Sequence, residues 1–130
     1  MKNAAIKKTR SKKRILKLID EIFPKVSPNL EEGDIYFVAV FEKEDIGFLH
    51  LGQRRGKITL EGVGVKEEFR GEGLGNRFLD VAVALAERAE KDIILKVKPD
   101  NAVALNLYAK KGFTIKRLRN VYILQRKAYT

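Results

Sequence analysis

Apolar residues recur along the chain in two rhythms, and the fold can be read from where one gives way to the other. From Ser11 onward, Ile15, Leu18, Ile19, Ile22 and Phe23 are spaced by three and four, the period of a helix with one buried stripe, and Ser11 suits its N-cap. Residues 35–41, IYFVAVF, are β-branched and aromatic on both faces, as in a strand covered on two sides. The polar tetrad Glu42 to Asp45 predicts a turn into a second strand near 46–52. Gln53 to Gly56 predicts another turn, and 57–65 a third strand, completing an antiparallel meander. Leu74, Phe78, Val81, Ala82, Leu85 and Ala89 then mark a long helix, and Ile93 to Val97 a short buried strand. A shorter helix follows, with Val103, Ala104, Leu107 and Tyr108 on one side and Gly112 at its end, and residues 113–127 read as two strands around Arg119 and Asn120. Ala4 to Ile6 reads as a short edge strand. The order implies an α+β fold, a mixed α/β sheet with helices on both faces.

Composition narrows the chemistry. A chain of 130 residues suits one domain spanning 1–130. The apolar runs fall far short of a membrane span, and the basic N-terminus lacks the apolar core of a secretory signal, so the cytoplasm is the expected location. Without cysteine, disulfides, thiolate metal sites and a cysteine nucleophile are excluded, and no metal is expected. The net charge of +10 is concentrated at the ends: Lys2, Lys7, Lys8, Arg10, Lys12, Lys13, Arg14 and Lys17 precede any acid, and nothing acidic follows Asp100. An anionic partner fits this distribution, whether nucleic acid, membrane surface or phosphorylated cofactor; a solvated basic surface accounts for it equally.

The stretch RGEGLGNRF, residues 70–78, places glycines 71, 73 and 75 at the start of the long helix. Backbone N–H groups at a helix start favour phosphate. A nucleoside-triphosphate loop needs Gly-Lys-Ser/Thr, whereas Gly75 is followed by Asn76 and Arg77. A dinucleotide fingerprint needs a third glycine where Asn76 or Phe78 stands; Asp92 lies at the distance of a ribose-binding acid but precedes the next strand. Arg70-x-x-Gly73-x-Gly75 remains, and with Asn101-x-x-Ala104-x-x-Leu107-Tyr108-x-x-x-Gly112-Phe113 it resembles the two motifs of the GNAT superfamily of acetyl-CoA-dependent N-acetyltransferases. The resemblance covers roughly 34–127, with a front end shorter than usual for the family.

That resemblance implies a GNAT-like fold and transfer of acetyl from acetyl-CoA to a primary amine of a small molecule, peptide or protein, by direct attack in a ternary complex. It implies that Val63, Gly64 and Val65 meet the pantetheine arm, with an N–H near Val63 polarising the thioester carbonyl. The amides of Arg70, Gly71, Glu72, Gly73, Leu74, Gly75 and Asn76 would wrap the pyrophosphate, with charge added by Arg70 or Arg77. Asn101 would anchor the arm, Asn106 would be a secondary contact, and Lys110 or Lys111 would meet the ribose phosphate. Tyr108 would protonate the departing thiolate, a phenol of pKa about 10 lying close enough to a thiol of about 8.5 to share a proton.

The sequence does not single out the base that deprotonates the amine: Glu61 shares the strand parity of Val63, His50, the only histidine, comes second, a packed ring being the ordinary role of a histidine on a strand, and water is a third alternative. Two departures stand out. Glu67 replaces the proline common three residues before the loop arginine, and Lys96 stands where the branch acetylating ribosomal-protein N-termini commonly has glutamate, which argues against that substrate. The acceptor pocket would be built from the first helix, the loop around 24–33 and the final hairpin; the acids Glu31, Glu32 and Asp34 would attract a cationic amine or simply face solvent. The alternatives are a basic nucleic-acid-binding module and a CoA-binding domain of this fold without catalysis. Monomer and homodimer are both compatible with the sequence.

Overall fold

The computed structural model describes residues 4–128; Lys2, from the basic N-terminal run, lies outside them. The strands are β1 (Ala5–Thr9), β2 (Ile35–Phe41), β3 (Glu44–Arg54), β4 (Lys57–Val65), β5 (Ile93–Val97), β6 (Thr114–Arg117) and β7 (Tyr122–Arg126), and the helices α1 (Lys12–Ile22), α2 (Leu74–Ala89) and α3 (Ala102–Lys110). They form a mixed seven-stranded sheet in the order β1-β2-β3-β4-β5-β7-β6, with β1 at an edge as the sequence suggests. By internal contacts the chain divides into two compact units, 1–52 with 61–79, and 53–60 with 80–130.

In the first unit, β1, β2 and β3 pair antiparallel, with Tyr36 opposite His50 and Val38 opposite Phe48. The turn into β3 is tighter than the polar tetrad suggests. Only Glu42 and Lys43 turn, both with positive φ (48° and 68°), and pairing resumes at Phe41–Glu44. Such two-residue turns match the right-handed twist of the flanking strands, which offsets the strain of left-handed backbone outside glycine. β3 is buried from Ile46 to Gly52 and is therefore covered on both faces. Ser11 caps α1, its Oγ accepting from the Arg14 amide at 3.2 Å. Ile15, Leu18 and Ile19, the stripe read from sequence, pack with Tyr36, Val38 and Phe48, each burial contributing about 1.5–3 kcal/mol.

In the second unit, β4 and β5 run parallel and pair at Ile58–Ile93 and Thr59–Ile94. β5 continues antiparallel with β7, from Ile93–Arg126 to Val97–Tyr122. Asp92, just ahead of β5, ties this unit together. Its carbonyl accepts from the Ile58 amide at 2.9 Å, and its carboxylate accepts from the Gln125 side chain and the Ala128 amide, both at 2.7 Å. The residue at the spacing of a ribose-binding acid is thus a structural anchor. Gly112, with φ of 90°, ends the α3 segment as the sequence predicts.

Candidate active site

The glycine loop joins β4 to α2. Lys66 donates its amide to Ile46 O at 2.9 Å, a single 3-10 turn covers Glu67–Phe69, and the chain then passes through Gly71 (φ 80°) and Gly73 (φ 83°). Both glycines hold backbone that L side chains rarely adopt. Arg77 closes the first helical bond to Gly73 O at 3.0 Å, so by helix geometry the preceding amides have no acceptor within α2. No acid occupies the first turn of α2, leaving the positive end of its dipole uncompensated there.

These amides border a cavity of about 420 Å³ lined by Val63, Gly64, Val65, Arg70, Gly71, Gly73, Leu74 and Gly75, with Phe23 and Phe69. The structure therefore brings together eight of the residues singled out in sequence. Glu72, on the loop, and Asn76, in the first turn of α2, are exposed and outside that wall. A Cβ built at position 71, 73 or 75 meets nothing within 4 Å, so the space over the loop is open to a ligand. The Arg70 Nε donates to Val65 O at 2.9 Å, which keeps its guanidinium beside the cavity; that of Arg77 donates instead to Ala4 O at 3.0 Å.

A second cavity in the same unit, of about 430 Å³, is lined on one side by Ile19, Phe23 and the loop from Val26 to Asn29, and on the other by Phe48, His50, Glu61, Gly62 and Val63. Phe23 and Val63 belong to both cavities. His50 is 4% exposed, and its Nε2 lies 2.7 Å from Oδ2 of Asp34, whose side chain is fully buried. Of the acidic cluster, Asp34 at least is therefore no solvated charge; Oδ2 also accepts from the Glu31 amide at 3.1 Å. Its partnership with His50 is invisible without the strand register, which sets Tyr36, two residues on, opposite His50. Glu61 is exposed on the cavity wall.

The remaining candidates lie on or beside α3. Asn101 caps that helix, Oδ1 accepting from the Ala104 amide at 3.2 Å, and Asn106 is exposed. Lys111 is paired with Asp80 at 2.6 Å. The Tyr108 ring packs 5.6 Å from that of Phe113, and burial pushes its phenol above the ordinary tyrosine range, so it keeps its proton through neutral pH. Among the described residues no His, Cys, Asp and Glu group suited to a metal occurs, and no helix is long and apolar enough to cross a membrane.

A helix start with open backbone amides, sharing Phe23 and Val63 with a second, largely apolar cavity, has the geometry that suits a phosphate-bearing ligand beside another molecule. Residues 32–115, more than half of the chain, match the family model described as an acetyltransferase (GNAT) domain, and the chain belongs to that family. It is an acetyl-CoA-dependent N-acetyltransferase, with acetyl-CoA as cosubstrate. Its fold is similar to that of the Escherichia coli ribosomal-protein-S18-alanine N-acetyltransferase, with a TM-score of 0.86 at 16% identity over 98% of this chain and 95% of that one. It is similar also to a Bacillus subtilis acetyltransferase in complex with CoA (TM-score 0.79, 17% identity, 96% and 99% covered). A third similar structure is Arabidopsis thaliana Naa50 with a bisubstrate analogue, CoA-Ac-MVNAL (TM-score 0.77, 19% identity, 95% and 98% covered). No curated protein sequence matches significantly.

Proposed function

We propose that the chain acetylates a primary amine by direct attack, with the diphosphate of acetyl-CoA held by the amides of residues 70–76 and the amine entering through the cavity lined by Glu61 and His50. The observation that carries this reading is the open, acid-free start of α2 behind two glycines in left-handed backbone. Backbone groups of Val63 and Val65 in the wall of the first cavity suit the amide-rich arm, and an N–H at Val63 suits a thioester oxygen. Arg70 adds charge beside the loop. Tyr108, whose phenol holds its proton, is the proposed donor to the departing thiolate, and Asn101, Asn106 and Lys111 the proposed further contacts for the arm and the ribose phosphate. Exposed Glu61 draws the cationic amine. The apolar walls favour an acceptor whose ammonium group is carried on an apolar neck.

Gly73→Glu tests the cofactor half of this reading. It forces a side chain into left-handed backbone and sets a carboxylate where the diphosphate is to bind. Acetyl-CoA at about a hundred times its dissociation constant is expected to stabilise the native chain by about 2.7 kcal/mol in thermal unfolding. The variant is expected to bind about 10- to 100-fold more weakly, in line with the loss of hydrogen bonds to a charged group. Unchanged affinity in the folded variant refutes the assignment.

A further inference from the structure

We infer that His50, oriented by the buried carboxylate of Asp34, is the catalytic residue that takes the proton from the acceptor's ammonium group, an inference that rests on the acetyltransferase reading above. An ionised carboxylate can only accept hydrogen bonds, so the 2.7 Å contact fixes the ring proton on Nε2 and leaves Nδ1 as the nitrogen with the lone pair. Asp34 is the positioning residue. It is held in turn by the Glu31 amide, and the Tyr36 ring lies 5.0 Å from the imidazole at an interplanar angle of 32°, which restricts the tilt of the ring.

The pair opens onto the acceptor cavity. His50 lines it together with Val63, the residue whose amide is proposed to meet the thioester oxygen. The titratable groups facing the imidazole are Asp34 from the segment before β2, Tyr36 on β2 and Glu61 on β4; α1 and the loop after it contribute apolar or neutral side chains such as Ile19, Phe23, Ser27 and Asn29. A base backed by a buried anion, in a wall that is otherwise largely apolar, differs from Glu61, which is exposed to water. The two carboxylates thus divide the work: Glu61 attracts the cation, while Asp34 stabilises the imidazolium once it forms.

The proton and electron balance is complete without a further reagent. Nδ1 removes one proton from R–NH3+, and the freed lone pair forms the C–N bond at the thioester carbonyl. The C–S bond breaks, the Tyr108 hydroxyl gives its proton to the departing thiolate and regains one from the new amide nitrogen, and the imidazolium returns its proton to solvent.

The test uses two acceptors, 2-phenylethylamine and a Leu-initiated hexapeptide, with thiol release followed across pH for the wild type, His50→Gln, Asp34→Asn and Glu61→Gln. At about pH 6.5 His50→Gln is expected to lose at least about 100-fold in kcat with acetyl-CoA affinity kept. The deficit should close where the acceptor loses its own proton, near pH 8 for the peptide's α-amino group and about 10 for the alkylamine. A purely structural role predicts one constant deficit, whatever the acceptor. Asp34→Asn should show the same trend in weaker form, and Glu61→Gln should raise KM only. Should His50→Gln fail to fold, the 15N imidazole signals of the wild-type protein with CoA and 2-phenylethylamine serve instead, with a protonated Nε2 and an Nδ1 that responds to the amine expected. The inference is overturned by a pH-independent deficit, by no deficit, by the healing pattern appearing in Glu61→Gln, by an Nδ1 indifferent to saturating amine, or by turnover of neither acceptor while acetyl-CoA still binds. Loss of acetyl-CoA binding by the wild type condemns the underlying cofactor reading instead.

Discussion

Gly64 and Phe23 share a space that no Cβ can enter: a methyl group at position 64 would lie 2.7 Å from Cε2 of Phe23 and 2.8 Å from Cε1 of Phe48. The two rings meet edge to face with centroids 6.2 Å apart, so the glycine is the floor on which an aromatic pair rests. Phe48 is buried and cannot swing away; Phe23, 37% exposed, can. Gly64→Ala is therefore expected to displace the Phe23 ring and to destabilise the fold by about 1–3 kcal/mol, the usual range for overpacking. Chemical denaturation of the variant, with and without Phe23→Leu, measures this; the second change should recover part of the loss.

Tyr108 leads to a prediction about rate. Tyr108→Phe keeps the ring against Phe113 and removes only the hydroxyl, so kcat should fall by about 100-fold or more with acetyl-CoA affinity retained. Because burial raises the phenol above its ordinary value, the protonated donor persists through neutral pH and is lost only as pH climbs through that raised value. The alkaline limb of the wild-type rate should accordingly lie far above neutral pH, and the variant should lack that limb.

Asp92 leads to a prediction about stability. The Ala128 amide above all, with the Gln125 side chain and the nearby Lys127, holds its carboxyl below the usual aspartate range. A carboxyl depressed on folding contributes stability that is present above its unfolded value, near 3.9, and vanishes as pH falls through its native value. Asp92→Asn should cost on the order of 1 kcal/mol at pH 7, a few degrees in Tm, and the gap between variant and wild type should shrink as the solution is acidified below about pH 4. Thermal unfolding of both proteins over that range checks the sign.

The elements were legible where a period could be counted. The strand at 35–41 and those at 57–65 and 93–97 have their expected bounds, because β-branched runs ended by turn residues admit little else. The ends of β3 were not legible. Glu44, Asp45, Gln53 and Arg54 look like loop residues, yet they pair in the sheet because turns of two residues leave no room for more. Glycines 71, 73 and 75 marked the cavity at the start of α2, since left-handed backbone at 71 and 73 and open space over all three leave a trace in composition. The pairing of Asp34 with His50 left none. Sixteen positions separate them, and only the β2–β3 register carries one to the other. An aspartate inside an acidic loop reads as solvated until its neighbours in space are known.

The two cavities have Phe23 and Val63 in common, so the proposed donor and the proposed acceptor would touch the same two residues. If a thioester seated against Val63 changes how readily an amine enters next door, the amine must alter the hold on the thioester by an equal factor. In that case one aromatic ring at the end of α1, Phe23, would make selectivity for either molecule a property of both.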